Sequence, residues 1–303
     1  KTACMFSMAL VVLPLACQPA ASYDARQLPI INGVRDESPA HAAVVFMLTG
    51  QAMCTGTLIS PRVVLTAAHC VAGYEAPDSI VSFGTSTSNA VPRRVVELHP
   101  HPAYDDRALV NDIALLRLGE DPPAGVVPIP HLPRALGITE ADLGTTIEYV
   151  GFGQTESGDT GVKMTMTNDI SWLCYDPDGC GWRNPAHLNT FCQDQEPSGL
   201  CQGDSGGPAL IVRDGREYIA GVASYVGGEC PYFGCSTQVD AFEEFIADFV
   251  GEPAGSPCGT NRDCLSYHCV DGFCCDTACA GRCTSCAVEG REGTCTPVPD
   301  GTL

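Results

Sequence analysis

Between Ile30 and Gly251 the chain alternates short apolar, β-branched stretches with turns rich in Gly, Pro and Asn. The stretches are Ala43–Leu48, Thr57–Ile59, Val63–Leu65, Ile80–Phe83, Val95–Leu98, Ile113–Leu118, Ile147–Val150, Ala209–Val212 and Ile219–Ser224. Runs this short, broken this often by turn residues, predict an all-β barrel or sandwich. One segment follows a helical period instead. Phe242, Phe245, Ile246 and Phe249 fall on one face, and Asp240 with Glu243 three residues on predicts the cap. That face is expected to close the domain.

The two ends have different patterns. Lys1 precedes the apolar run Met5–Leu15, too short to span a bilayer as a helix and suited to a secretory signal over 1–17, followed by a short propeptide over 18–29. The chain does not open on Met, so a few residues are expected ahead of Lys1. Cys17, after Leu15-Ala16, resembles a bacterial lipoprotein processing site, and leaves two outcomes: a lipid anchor at Cys17, or ordinary cleavage and release. At the other end, 251–257 is linker-like in its Gly and Pro, and 258–303 carries nine cysteines between Cys258 and Cys295 with few large apolar groups. Such a module must be held by cross-links.

Composition narrows the class. A 303-residue chain with formal charge −20 has room for a sizeable core, and its surface repels phosphate backbones, so nucleic acid is not an expected partner. Nineteen cysteines point to an oxidising compartment, outside the cell or on its surface. Two lie in the signal region, eight between Cys54 and Cys235, and nine from Cys258 on. Eight can pair among themselves; nine leave either a partner beyond Leu303, the preferred reading, or a free thiol. For Cys274, Cys275, Cys279, Cys283 and Cys286 disulfides are favoured over zinc on the same redox ground. The tail, with GFCCDTAC and GRCTSCAVEG, resembles cysteine-rich modules of secreted bacterial proteins.

Three separated motifs carry chemistry. Acyl transfer by a serine needs a base for the hydroxyl proton, a carboxylate to fix that base, and donors for the developing oxyanion. His69 lies in Thr66-Ala-Ala-His69-Cys70 after an apolar strand, Asp112 in Asn111-Asp112-Ile-Ala-Leu-Leu116, and Ser205 in Gly203-Asp204-Ser205-Gly206-Gly207-Pro208. Singly, each motif has a structural explanation: a buried His, a turn, a loop. In the order His, Asp, Ser they point to a nucleophile with its base and orienting acid, and to the Gly203 and Ser205 amides as the oxyanion hole. His41, His99, His101, His131, His187 and His268 have no catalytic context, and Asp176 and Asp178 suit a solvated turn better than a calcium site. No phosphate-cradling glycine loop, metal-ligand helix or basic stripe is present, so neither cofactor nor metal is expected.

With these motifs the chain resembles the trypsin/chymotrypsin-like serine endopeptidases over about Ile30–Val250. Further likenesses are Ile30-Ile31-Asn32-Gly33 to the mature N-terminus of the family, Gly151-Phe152-Gly153 to its mid-chain motif, and Ser224-Tyr225-Val226 to its substrate-pairing segment. The resemblance implies two antiparallel six-stranded β-barrels with the triad in the cleft between them, and disulfides Cys54–Cys70 and Cys201–Cys230. It also makes Cys192 the partner of Cys174 or Cys180, with Cys235 joined to the one left over. Protein or peptide substrates would lie extended against Ser224–Val226.

The same resemblance bears on specificity and activation. Where tryptic relatives carry a pocket-floor aspartate this chain has Gly199, followed by Leu200, so a buried cation would go unpaired. Val226 narrows one wall, and Gly234 matches the opposite one. An apolar, constricted pocket for small or medium P1 residues follows. In the family a new N-terminal ammonium, here on Ile30, pairs with the aspartate before the nucleophile, Asp204; Pro29 precedes Ile30, so an activating protease, or trimming from a cut after Arg26, is required. The expectation is a secreted serine endopeptidase made as a zymogen. Its alternative is a catalytically silent, protease-like binding or surface-adhesion protein.

Overall fold

The computed structural model describes residues 33–154, 160–174, 189–196, 198–227 and 232–298. The first half holds β1 (Val34–Arg35), β2 (Val44–Thr49), β3 (Ala52–Ser60), β4 (Val63–Thr66), β5 (Ser79–Phe83), β6 (Val91–Pro100) and β7 (Ala114–Leu118). The last six close into a barrel in the order β2-β3-β4-β7-β6-β5, every pair antiparallel. Its interior is β-branched and aliphatic, with Val45, Met47, Leu58, Val64, Leu65, Val81, Leu115 and Leu116 fully shielded from water, the burial that drives the barrel to close.

The second half holds β8 (Thr146–Gly151), β9 (Met164–Asp169), β10 (Trp172–Cys174), β11 (Thr190–Asp194), β12 (Pro208–Arg213), β13 (Arg216–Val226) and β14 (Phe233–Gln238). They run in the order β1-β9-β8-β12-β13-β14-β11-β10, so the N-terminal strand β1 adds to the edge of the second sheet rather than to the first barrel. The edges of the six central strands meet where Asn168 on β9 donates to the carbonyls of Asp194 and Ser198, the latter at 2.8 Å. The architecture is the all-β pair of antiparallel barrels, followed by a helix and a disulfide-rich tail.

All nine expected apolar stretches fall in strands except at two ends, Ala43 in a 3-10 turn and Ile113 just ahead of β7. Two strands without such a stretch are rich in side chains that bond. β9 reads Met-Thr-Met-Thr-Asn-Asp, and β14 buries Ser236, Thr237 and Gln238. The helix α1 spans Glu243–Val250, with Ile246 and Phe249 buried, and is preceded by a 3-10 turn at Asp240–Phe242. The expected Asp240 cap is corrected. Its carboxylate packs on Gly137 and accepts the Ile138 amide, because the 3-10 turn already carries the chain into the helix and leaves that side chain free to face the inter-barrel segment.

The tail is two small hairpins, β15 (Cys269–Val270) with β16 (Phe273–Cys274) and β17 (Thr284–Ser285) with β18 (Thr296–Pro297). Disulfides Cys258–Cys269, Cys264–Cys274, Cys275–Cys286 and Cys279–Cys295 hold it, and the odd thiol of the count is Cys283, exposed and free. The linker-like residues are bonded into this module: Glu252 pairs with Asp263 and Leu265, and Gly255 donates to Cys274. Tyr267 lies under the guanidinium groups of Arg62 and Arg117, and Arg117 in turn donates to the Phe249 carbonyl at 2.7 Å, so the tail rests on the first barrel and the end of α1. Among the described residues no helix is long and apolar enough to cross a membrane.

Candidate active site

The three motifs converge between the two halves of the fold. β4 ends in the 3-10 turn Ala68–Cys70, which presents His69, and the disulfide Cys54–Cys70 ties that turn back to β3. Asp112 sits just ahead of β7, the neighbour of β4, and is completely buried. Its Oδ1 accepts the His69 backbone N–H at 2.9 Å and its Oδ2 accepts His69 Nδ1–H at 2.7 Å. With Nδ1 committed as a donor, the neutral imidazole presents Nε2 as the acceptor. Burial opposes an ionised Asp112, but the charge and hydrogen bonds of His69, with the hydroxyl of Ser224, hold the carboxyl below its usual range. Burial likewise lowers His69, and the Asp112 carboxylate outweighs it and raises the imidazole above its ordinary 6.5.

Ser205 is carried by a tight backbone turn held from both sides. Its carbonyl accepts the Thr55 amide of β3 at 2.8 Å, while Gly206 N–H donates to Ala223 of β13 at 2.7 Å. Gly206 has φ +82°, and a Cβ there would stand 3.0 Å from the Ala67 nitrogen and overlap Thr66 and Thr55, the strands leading to His69. Only glycine lets the serine loop lie this close to the histidine strand. Gly203, at φ +94°, packs on Gly153, its carbonyl taken by the Thr55 hydroxyl at 2.9 Å. Among the described residues the amides of Gly203 and Ser205 donate to nothing, and no hydrogen bond joins Ser205 Oγ to His69, a pair that substrate commonly tightens.

Asp204 turns the other way, into the protein. Its carboxylate is buried, accepts Gly153 N at 3.0 Å and Cys201 N at 3.1 Å, and is pushed up to about 7 by burial, against which those two amides act. The glycines of Gly151-Phe152-Gly153 have a packing reason here, because a Cβ on either would overlap the Asp204 carboxylate. Ile30 lies outside the described residues, so its expected pairing with Asp204 does too.

Ser224, Tyr225 and Val226 lie together on β13, where a bulge between Ala223 and Tyr225 swings the Ser224 hydroxyl onto Asp112 Oδ2 at 2.5 Å. Gly199, Leu200 and Gly234 come together around a residue that the sequence pattern did not mark. Gln195 is buried, its amide oxygen accepting Leu200 N at 2.9 Å and its amide nitrogen donating to Leu200 O. A Cβ at Gly199 would stand 2.8 Å from Gln195 Cβ, and one at Gly234 would stand 3.2 Å from Gln195 Oε1. A neutral carboxamide therefore fills the space beside Gly199. Below it Tyr149 donates to Gln193 Oε1 at 2.8 Å, both side chains fully buried. Thr55, Gln193 and Gln195 were missed because a lone Thr or Gln carries no motif; only their neighbours in space mark them.

The disulfides depart from expectation at one point. Cys192 bonds Cys235, not Cys174 or Cys180. Strand register explains it: β11 and β14 set Cys192 directly opposite Cys235, whereas β10 sets Cys174 opposite Thr190. Cys174 and Cys201 are also oxidised; Cys180 and Cys230 lie outside the described residues, as do Cys17, Asp176, Asp178 and His187. Cys54, His69 and Cys70 cluster closely, but both sulfurs are spent in their disulfide and offer no thiolate to a metal.

A barrel closed around the histidine strand, a second sheet bearing the serine, and a buried carboxylate joining them define a chymotrypsin-type hydrolase. The family model described as Trypsin matches residues 30–246, and this chain belongs to that family of serine endopeptidases. It is similar to "Trypsin epsilon" of Drosophila erecta, 29% identical over 259 residues that cover 80% of this chain and 97% of that protein. It is 31% identical to "Serine protease SP24D" of Anopheles gambiae over 213 residues, 68% of this chain and 73% of that protein. "Serine protease 57" of Homo sapiens is 28% identical over 249 residues, 79% of this chain and 86% of that protein. All three are animal proteins, and the family match ends before the cysteine-rich tail.

Proposed function

We propose that the chain is exported as a zymogen, in which 1–17 is a signal, 18–29 a propeptide, 30–250 the protease and 258–303 a disulfide-held module, and that it cleaves protein substrates after small or medium apolar residues. Ser205 attacks the scissile carbonyl while His69 Nε2 takes its proton. The amides of Gly203 and Ser205 receive the oxyanion, and Asp112 holds the imidazole. His69 then returns the proton to the leaving amine, and water releases the acyl group by the same route. The observation that carries this reading is the two-point hold of Asp112 on His69, at its backbone and at Nδ1, which fixes the tautomer the reaction needs.

The pocket reading rests on charge and depth. Gly199 brings no carboxylate, and the Gln195 carboxamide supports a neutral, shortened floor, so a P1 guanidinium would be buried without a counter-charge, at a cost of several kcal/mol. Asp204, a buried carboxylate with only backbone donors described, is what an ammonium on Ile30 would stabilise once a separate protease has exposed it. Export, by release or by a lipid on Cys17, is supported by the cysteine usage. A fluorophosphonate probe should label protein that begins at Ile30 and not its Ser205→Ala variant; absence of labelling would favour a silent binding protein. Peptide-library cleavage chiefly after Arg or Lys would reject the pocket reading.

A further inference from the structure

A second cluster of charged groups lies outside the triad, where the N-terminal segment meets the second sheet. His41 belongs to the 3-10 turn Pro39–Ala43 and is only 6% exposed. Its Nδ1–H donates to Asp36 Oδ2 at 2.8 Å, which fixes the tautomer and leaves Nε2 aimed at Glu217 Oε1, 3.8 Å away. Glu217 stands on β13 and Glu148 on β8, both paired to the intervening β12, and one donor atom from each of His41, Glu148 and Glu217 lies within 4.8 Å of the others. Glu148 is itself oriented by the Thr165 hydroxyl, which donates to its Oε1 at 2.6 Å.

The spacing suits a shared ion as well as a direct ion pair. At 3.8 Å, His41 Nε2 and Glu217 Oε1 are too far apart for a hydrogen bond. Two ligands each about 2.1 Å from a tetrahedral ion stand roughly 3.4 Å apart, so a few tenths of an ångström of closure would seat the pair on one ion. Charge agrees. Among the described residues Asp36 is faced by Lys163, whose buried ammonium donates to the His41 carbonyl at 2.7 Å. With a neutral imidazole the three carboxylates and Lys163 leave two uncompensated negative charges, which a divalent ion would offset.

We propose that His41 Nε2 with one carboxylate oxygen each of Glu148 and Glu217 forms a zinc-type divalent metal site, with Asp36 orienting the imidazole from behind. An imidazole nitrogen and two carboxylates suit such an ion, and the partly exposed Glu217 leaves a path in and a place for water. The ion would staple the turn Pro39–Ala43 to β8 and β13, a structural role outside the triad. The sequence gives no hint of it, because the three ligands sit 41, 148 and 217 along the chain with no motif spacing.

The test is a Co²⁺ titration of the full chain carrying Ser205→Ala and Cys283→Ser, which removes self-cleavage and the free thiol, read by visible absorption and by competition with Zn²⁺. One saturable equivalent is expected, with bands for nitrogen and oxygen ligands. Glu217→Gln and Glu148→Gln, both at partly exposed positions, should each weaken binding at least tenfold, and Asp36→Asn by about 10–100-fold. Zn²⁺ should raise the Tm of the parent and not of the Glu217→Gln protein. No saturable equivalent, or binding unchanged in both Glu→Gln variants with native circular dichroism, would overturn the proposal.

Discussion

Ser224 donates its hydroxyl proton to Asp112 Oδ2, the same oxygen that receives His69 Nδ1–H. One buried oxygen thus joins the first barrel, which brings the histidine, to β13, the strand proposed to pair with substrate. Thr237 of β14 adds a bond from its hydroxyl to the Asp112 carbonyl at 3.1 Å, so the carboxylate is positioned from both halves of the fold.

Removing the Ser224 hydroxyl should therefore act on kcat. A hydrogen bond to a charged group contributes about 1.5–3 kcal/mol, so Ser224→Ala is expected to lower kcat about 10–100-fold. KM for an extended peptide should change little, because the β13 backbone remains. Steady-state kinetics on protein starting at Ile30 separates the two constants; a rise in KM alone would assign Ser224 to binding.

Asp112→Asn should lower kcat about 10⁴-fold, since the amide can hold the wrong tautomer of His69. It also carries a pH signature. Activity needs neutral His69, and the Asp112 charge raises the imidazole pKa, so in the parent kcat/KM falls as the pH drops through a value above 6.5. Without that charge, burial dominates, and the residual activity should persist to lower pH.

Asp204 should make the stability of the uncleaved chain fall as pH rises. Its folded pKa, about 7, exceeds the ordinary 3.8, so the folded state holds the proton that the unfolded state gives up across that window. A shift of that size corresponds to roughly 4 kcal/mol at most. Urea titrations of the Ser205→Ala precursor between pH 4 and pH 7 should show the loss, and adding Asp204→Asn should flatten it. An unchanged slope in the double variant would place the pH dependence elsewhere.

Gly199→Asp should not confer cleavage after Arg or Lys, because the new side chain meets Gln195, whose Cδ would stand 2.5 Å from its Cβ. Gln195→Ala combined with Gly199→Asp opens that space and should give measurable cleavage after Arg. Tryptic activity in the single variant would show that Gln195 does not occupy the floor.

The Cys192–Cys235 bond staples β11 to β14 beside that floor and encloses a sequence separation of 43 residues. Changing both to Ser should cost about 2–4 kcal/mol, measurable as a lower Tm. Changing Cys192 alone should expose one new thiol, at Cys235; a new thiol at Cys174 would contradict the pairing.

The chain by itself determined the nine apolar strands, the tail's dependence on cross-links, and the chemistry of His69, Asp112 and Ser205. Those features reside in local pattern: alternation that suits a half-buried sheet, cysteine density, and glycines where a serine loop must turn. What only the folded molecule decided is which distant side chains meet. The Cys192–Cys235 bridge follows from register between β11 and β14, and the filled space beside Gly199 from Gln195 folding back onto Leu200. The buried polar strand β14 is held by bonds to Asp112 and Ile138 rather than by an apolar period. A hydrophobic pattern records how much each position gains from leaving water. A hydrogen bond between residues a hundred apart leaves no such record, because its energy depends on a geometry that exists only after the barrels have closed.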